Sequence, residues 1–212
     1  MLSISLISVA HANDSQFKTK DEKQFPHNIV VEHNNKQLDL FMTGLTIRRK
    51  YFLNIYSMAH YIEQQPDGLD SDISDDIIYK NILQNNGAKQ ISMVFLRSLT
   101  AQQIQKSLRS GIELNTNKQE YLQILPQIEE FMHAIDEDVK KNDKFIIRWF
   151  PDGSVISIFQ DKKISAIKSD RFARTLWLIW FGDHSVVDRK SLIKELLTRS
   201  WINKGIFCYL FP

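Results

Sequence analysis

Polar and apolar positions alternate in short runs along parts of this chain and recur at helical spacing along others. Residues 27–33 (HNIVVEH) and 36–41 (KQLDLF) read as strands on either side of Asn34-Asn35, a hairpin turn. Residues 44–62 (GLTIRRKYFLNIYSMAHYI) are strand-like, with apolar side chains at both parities from Tyr51 onward, which predicts a strand covered on both faces. Gln65-Pro66-Asp67-Gly68 marks a turn. The acidic stretch 70–76 (DSDISDD) lacks the glycine and the later glutamate of a calcium loop. Its Ser and Asp residues suit the cap and first turn of a helix through Ile77, Ile78 and Ile82. Residues 89–96 (KQISMVFL) are a strand, and Thr100-x-x-Gln103 is a capping box opening a helix with Ile104, Leu108 and Ile112 on its buried stripe.

Residues 118–140 place Leu122, Leu125, Ile128, Met132, Ile135 and Val139 on one helical face, interrupted by Pro126, which predicts a kink or two helices meeting there. Residues 144–150 and 154–159 form two strands joined through Pro151-Asp152-Gly153, and 163–168 follows as a third. Residues 170–181 (DRFARTLWLIWF) form a helix buried nearly all round. Residues 188–198 are amphipathic, with Leu192, Ile193, Leu196 and Leu197 inside. Strands paired by turns, with helices grouped between them, imply an antiparallel α+β fold.

The chain has 212 residues, enough for one domain with its own core, and neither repeats nor low-complexity tracts interrupt it. Lys plus Arg number 27 against 25 for Asp plus Glu, a net charge of +2, which argues against a dedicated nucleic-acid binder. The one cysteine, Cys208, can make neither an intrachain disulfide nor a thiolate zinc site. No apolar run approaches the roughly 20 residues of a transmembrane helix.

Residues 2–12 (LSISLISVAHA) are apolar and end in Ala10-His11-Ala12, an A-x-A cleavage pattern followed by polar residues. A basic n-region is missing, and a docked apolar N-terminus is the alternative. The organisation expected is therefore a truncated signal peptide at 1–12, a polar leader at 13–26, a domain at 27–200 and an apolar tail at 201–212, with the mature protein periplasmic or secreted.

Nucleotide-binding glycine loops, the H-E-x-x-H zinc pattern and the G-x-S-x-G elbow are all absent. The histidines are scattered without metal-ligand spacing, so neither a metal nor a cofactor is expected. Glu129-Glu130 and Asp136-Glu137-Asp138 read as the wet face of a helix. Arg48-Arg49-Lys50, set among apolar strand residues, is the most suggestive polar feature. A cation there could hold a carboxylate or phenolate in an apolar cleft, or could form a solvated hairpin end.

Residues 44–56 (GLTIRRKYFLNIY) resemble the G-x-G-x-R-x-K-x-F-x-K-V-Y strand of bacterial chalcone-isomerase-like proteins. Ala59-His60-Tyr61-Ile62 is similar to the G-L-Y-L that follows it, and Asn142-Asp143 to a G-D before a strand. Phe172-Ala173-Arg174 with Ile179-Trp180-Phe181-Gly182 resembles F-A-x-x-L-L-x-I-W-L-G, and Ser185-Val186 and residues 192–197 fit the closing segment. The resemblance covers residues 28–198. It implies the chalcone isomerase fold, a curved antiparallel sheet packed against a layer of helices with a cleft between them.

The superfamily contains plant isomerases that close a flavanone ring and relatives without that activity that bind fatty acids. By this resemblance Arg48 matches the arginine that holds the reacting phenolate, with Arg49 and Gly44 as neighbouring candidates for its place. Tyr56 falls on a hydroxyl-bearing position. Residues 98–104 (SLTAQQI) are similar to the plant L-T-G-x-Q-Y segment, whose tyrosine is here Ile104, and a later asparagine is here Gly111. Ring closure needs stabilisation of charge developing at the carbonyl, and isoleucine supplies no hydrogen bond. The expectation is a non-catalytic protein without a catalytic residue set, binding a fatty acid or similar apolar carboxylate through Arg48 and Tyr56. An intramolecular lyase and a structural or partner-binding envelope protein are the alternatives.

Overall fold

The computed structural model describes residues 24–63 and 74–203. Strands β1 (Asn28–His33) and β2 (Lys36–Lys50) meet at Asn34-Asn35, whose φ values of 50° and 61° are the left-handed pair a type I′ hairpin needs. β2 turns at Tyr51-Phe52 into β3 (Leu53–Ile62), with Lys50 opposite Leu53. The strand expected over 44–62 is thus two strands. Tyr51-Phe52 carries none of the residues that ordinarily announce a turn, so only the pairing between β2 and β3 reveals it.

Helix α1 (Asp75–Gln84) follows Ser74, has Asp75 and Asp76 in its first turn, and buries Ile78, Tyr79 and Ile82, while Ile77 is 49% exposed. After β4 (Lys89–Phe95), α2 (Ala101–Leu114) opens on the capping box, with both reciprocal Thr100–Gln103 bonds formed. α3 (Lys118–Gln123) and α4 (Leu125–His133) meet at Ile124, with Pro126 in the first turn of α4. The helical pattern read to residue 140 stops at His133. Ile135 and Val139 are buried, but Val139 bridges Leu99 as a short strand contact, so burial there reflects extended chain and not a continued helix. Asp136, Glu137 and Asp138 are accordingly off the helix, and Asp138 Oδ1 accepts the Ala101 N–H at the start of α2. Leu122, expected inside, is exposed because α3 is too short and too peripheral to bury it.

Strands β5 (Lys144–Trp149), β6 (Ser154–Phe159) and β7 (Lys162–Lys168) lead into α5 (Asp170–Phe181). A 3-10 turn (Ser191–Ile193) and α6 (Lys194–Asn203) close the described chain, so α6 crosses the boundary expected at residue 200. Phe25, counted in the polar leader, is 2% exposed. The A-x-A segment, the turn at 65–68 and Cys208 lie outside the described residues.

The sheet is a seven-stranded antiparallel meander in the order β1 to β7. One face carries Met58, Met93, Phe145, Ile147 and Trp149 against α2, α4 and α5, whose Ile112, Phe131, Trp177 and Trp180 are buried with them. The opposite face gathers Val31, Leu40, Met42, Tyr61 and Phe150. His33 at the end of β1 stacks on Phe150 after β5, with ring centroids 3.8 Å apart, although β2, β3 and β4 lie between their strands. The sheet must curl to allow this, with the face that carries Phe150 inward. A β-bulge between Met42 and Gly44 sets Thr43 apart from the regular ladder. Gly44 then lies directly against the 3-10 turn, where a Cβ would stand 2.2 Å from the Ser191 carbonyl oxygen. The sheet and the chain after α5 can approach this closely only at a glycine.

Candidate functional site

Arg48 and Tyr56 are cross-strand partners on β2 and β3, so their side chains leave the sheet side by side on the face toward the helices. Arg48 is partly buried, and its Nη1 donates to the Val186 carbonyl in the loop after α5. Tyr56 Oη accepts the indole N–H of Trp180 at 3.1 Å. Burial raises the Tyr56 pKa, opposed by the Trp180 hydrogen bond and by the Arg48 charge, so Tyr56 is a neutral phenol at ordinary pH. Because indole is donor-only, the phenol's own hydrogen remains to be given to an acceptor. The pair therefore presents a cation and an O–H donor side by side, which is an anion-recognising arrangement.

Tyr56 meets Phe95 edge to face, with centroids 6.1 Å apart. Phe95 in turn lines a mainly apolar recess with Ile104, Ile135, Val139, Phe145 and Phe159, whose mouth also carries the exposed acids Asp136 and Glu137, with about 330 Å³ of empty space out to the open mouth. The recess is narrow, holding enclosed room for about one water molecule. Ile104, 7% exposed, turns a hydrocarbon side chain toward it.

The neighbouring candidates are accounted for otherwise. Arg49 is exposed and donates to Asn54 Oδ1 at 3.2 Å, as in the solvated-hairpin reading. Gly44 serves the close approach described above. Gly111 gives contact between α2 and α5, where a Cβ would lie 3.0 Å from Ile179 Cγ2. Asn115 caps α2, donates to the Gly111 carbonyl and accepts the His184 N–H, which ties it to the loop after α5.

Sequence reasoning missed Trp180, Phe95 and Val186 as partners of the pair. Trp180 belongs to the Ile179-Trp180-Phe181-Gly182 motif, but a helix residue 124 positions from Tyr56 reveals its contact only once α5 lies on the sheet.

Deeper in the same layer, His60 is fully buried. Trp177 Nε1 donates to its Nε2 at 3.1 Å, so its proton sits on Nδ1 and points to Thr43 Oγ1 at 2.8 Å. Thr43 passes its own hydrogen to the Leu192 carbonyl at 2.6 Å. Every polar atom of this relay is used, and it ties β2, β3, α5 and the 3-10 turn together. Burial, reinforced by the charge of Lys89, holds the His60 pKa well below its ordinary value. This is a structural histidine. Lys89, 1% exposed, has its pKa lowered to about 8 by burial and the Arg174 charge, partly offset by Asp170 and Glu63. Its ammonium donates to the Asn85 and Gly87 carbonyls beyond the end of α1 and lies 4.0 Å over the Trp149 ring. It fastens the end of α1 to the sheet.

Among the described residues, no group of three or more His, Cys, Asp and Glu is placed to hold a metal ion. None of the described helices is long and apolar enough to cross a membrane.

No curated protein sequence matches this chain. Among solved structures, a fatty-acid binding protein of Arabidopsis thaliana superposes with a TM-score of 0.63 at 10% identity, over 84% of this chain and 100% of that one. At that identity the likeness is one of fold. The sequence profile described as chalcone isomerase-like matches residues 18–198, nearly the whole described chain. The curled antiparallel sheet, its helical layer and this extended match lead to one conclusion: the chain belongs to the chalcone isomerase-like family.

Proposed function

We propose that the protein binds a fatty acid or a similar apolar carboxylate, without catalysing its conversion, in the cleft between sheet and helices. The observation that carries this is the Arg48–Tyr56 pair, two adjacent donors joined to the apolar recess through Phe95, which meets the Tyr56 ring and lines the recess that the pair itself does not line. An arginine has five N–H donors, so Arg48 can take a carboxylate while Nη1 stays on Val186. The fatty-acid binding neighbour of the same fold supports the reading. So does Ile104, whose side chain offers no hydrogen bond to a developing oxyanion or to an ordered water. The recess must widen to accept an acyl chain, since its enclosed room holds only about one water molecule.

The test is native mass spectrometry of the purified protein, followed by titration with fatty acids of graded length. A stoichiometric acyl ligand is expected, with affinity rising about tenfold or more for each two carbons, at roughly 0.8 kcal/mol per CH₂. Arg48→Ala should weaken binding about tenfold to a hundredfold, the range for a charged hydrogen bond. Unchanged affinity in that variant would refute the role of Arg48. Ring closure of an added chalcone by the wild-type protein would favour the intramolecular lyase instead. The reading extends to export, with cleavage after Ala12, because the A-x-A pattern sits where the apolar run ends. N-terminal sequencing of protein recovered outside the cytoplasm should begin at Asn13. An intact Met1 would refute cleavage.

A further inference from the structure

Three hairpins in the sheet turn through two residues, and they differ in what they place there. Asn34-Asn35 and Gln160-Asp161 both take positive φ (50° and 61°, 47° and 65°) and are polar, as such turns ordinarily are. The β2–β3 hairpin instead places Tyr51 at φ 54°, a conformation that is costly for a bulky side chain, followed by Phe52. Their rings are 89% and 91% exposed, and Leu53 beside them is 39% exposed. The fold gains no burial from these rings, and a glycine or asparagine at position 51, the one turn residue with positive φ, would make the turn with less strain. Something outside the fold accounts for them.

The surroundings indicate what it is. Arg49 and Lys50 precede the aromatics and are exposed. The same end of the sheet holds the start of β5 and the β6–β7 turn, with Lys141, Lys144, Lys162 and Lys163 exposed. The acids at this end are Asp161, exposed; Asp143, whose two oxygens are engaged by the Lys140 N–H and the Gln160 amide; and exposed Asp136 and Glu137 at the mouth of the recess, followed by exposed Asp138, which accepts the Ala101 N–H, so Arg49 and Lys50 at the tip itself carry the local positive charge. Exposed aromatics framed by cations suit the interface of an anionic bilayer, where rings sit at headgroup level and Lys and Arg meet phosphate. Phe95, Phe145 and Phe159 of the recess lie at this same end of their strands, so the apolar recess lies at the end of the sheet that bears the tip.

We propose that the Tyr51-Phe52 tip, with Arg49 and Lys50, docks the protein on an anionic lipid surface. The purified full chain is sedimented with vesicles of phosphatidylcholine mixed with phosphatidylglycerol, and with vesicles of phosphatidylcholine alone. Binding to the anionic vesicles only, lost at high salt, is expected. Tyr51→Gly/Phe52→Asn, which puts glycine at the positive-φ position, should weaken that binding about tenfold or more while its thermal midpoint holds or rises. Arg49→Gln/Lys50→Gln should weaken it about thirtyfold, at the usual contribution of each basic residue near such a surface. Equal binding to both kinds of vesicle, or a tip variant that binds as the wild type does, would overturn the proposal. A protein that takes up fatty acid yet ignores both vesicles would overturn the docking and leave the cleft reading standing.

Discussion

Replacing His60 by glutamine should flatten the acid side of the stability curve. The imidazole accepts Trp177 N–H at Nε2 and donates from Nδ1 to Thr43. Adding a proton at Nε2 would set two N–H groups against each other in a site with no exposure to water. The native ring therefore stays neutral well below its ordinary value of about 6.5, while the ring of the unfolded chain titrates there. Between those limits unfolding takes up a proton, so stability present above about pH 6.5 is lost as pH falls, by about 1.4 kcal/mol per pH unit. From pH 6.5 to pH 5 this amounts to about 2 kcal/mol. Asp152 and Glu129 have lowered values in the fold, so their contributions are lost only below about pH 4.5, beneath that window. The assay is urea denaturation followed by tryptophan fluorescence, at pH 5 and above pH 7, for wild type and His60→Gln. The variant pays a pH-independent cost of about 1–3 kcal/mol for its poorer fit to Trp177 and Thr43. Its further loss on acidification should be smaller than that of the wild type by about 2 kcal/mol. Parallel curves would show that His60 is protonated in the native protein and would refute the relay as drawn.

Other consequences can be checked by unfolding or binding measurements. Gly44→Ala drives a methyl group into the Ser191 and Leu192 backbone, and by denaturant unfolding it should cost about 3 kcal/mol or more. Lys89 gains native-state stability as pH rises from about 8 toward 10.5, because the fold disfavours its charged form; in Lys89→Met that rise should vanish from the stability curve. Thr100→Ala removes the side chain that accepts the Gln103 N–H and should cost about 1 kcal/mol. Ile104→Trp fills the recess beside Phe95 and Phe145, and titration calorimetry should show weaker binding of long-chain carboxylates while the circular dichroism of the fold is retained.

Most of the sheet was legible in the sequence because its signals are local. Asn34-Asn35 and Pro151-Asp152-Gly153 announce their turns, the Thr100 box announces α2, and the apolar run before Gly182 announces a helix buried nearly all round, with Arg171 and Arg174 left exposed. Arg48 could be singled out, since a charge amid strand residues stands out in a linear reading. The family resemblance put Tyr56 in the same site, but that the two are cross-strand partners could not be read there, because the hairpin between them turns on Tyr-Phe, which has no turn chemistry of its own.

Local pattern determined the fold class, the order of elements and the candidate cation, all of which depend on residues within a turn or a few strand positions of one another. Tertiary structure decided what those residues face. The end of α4 was set by Val139 finding Leu99, and the neutral state of His60 by Trp177 lying 117 positions away. The donor character of the Arg48–Tyr56 pair depends on Trp180, brought in by α5. Hydrogen-bond direction, burial and protonation are properties of packed neighbours. A chain read in order does not say which distant segments become neighbours until the sheet curls and the helices settle on it.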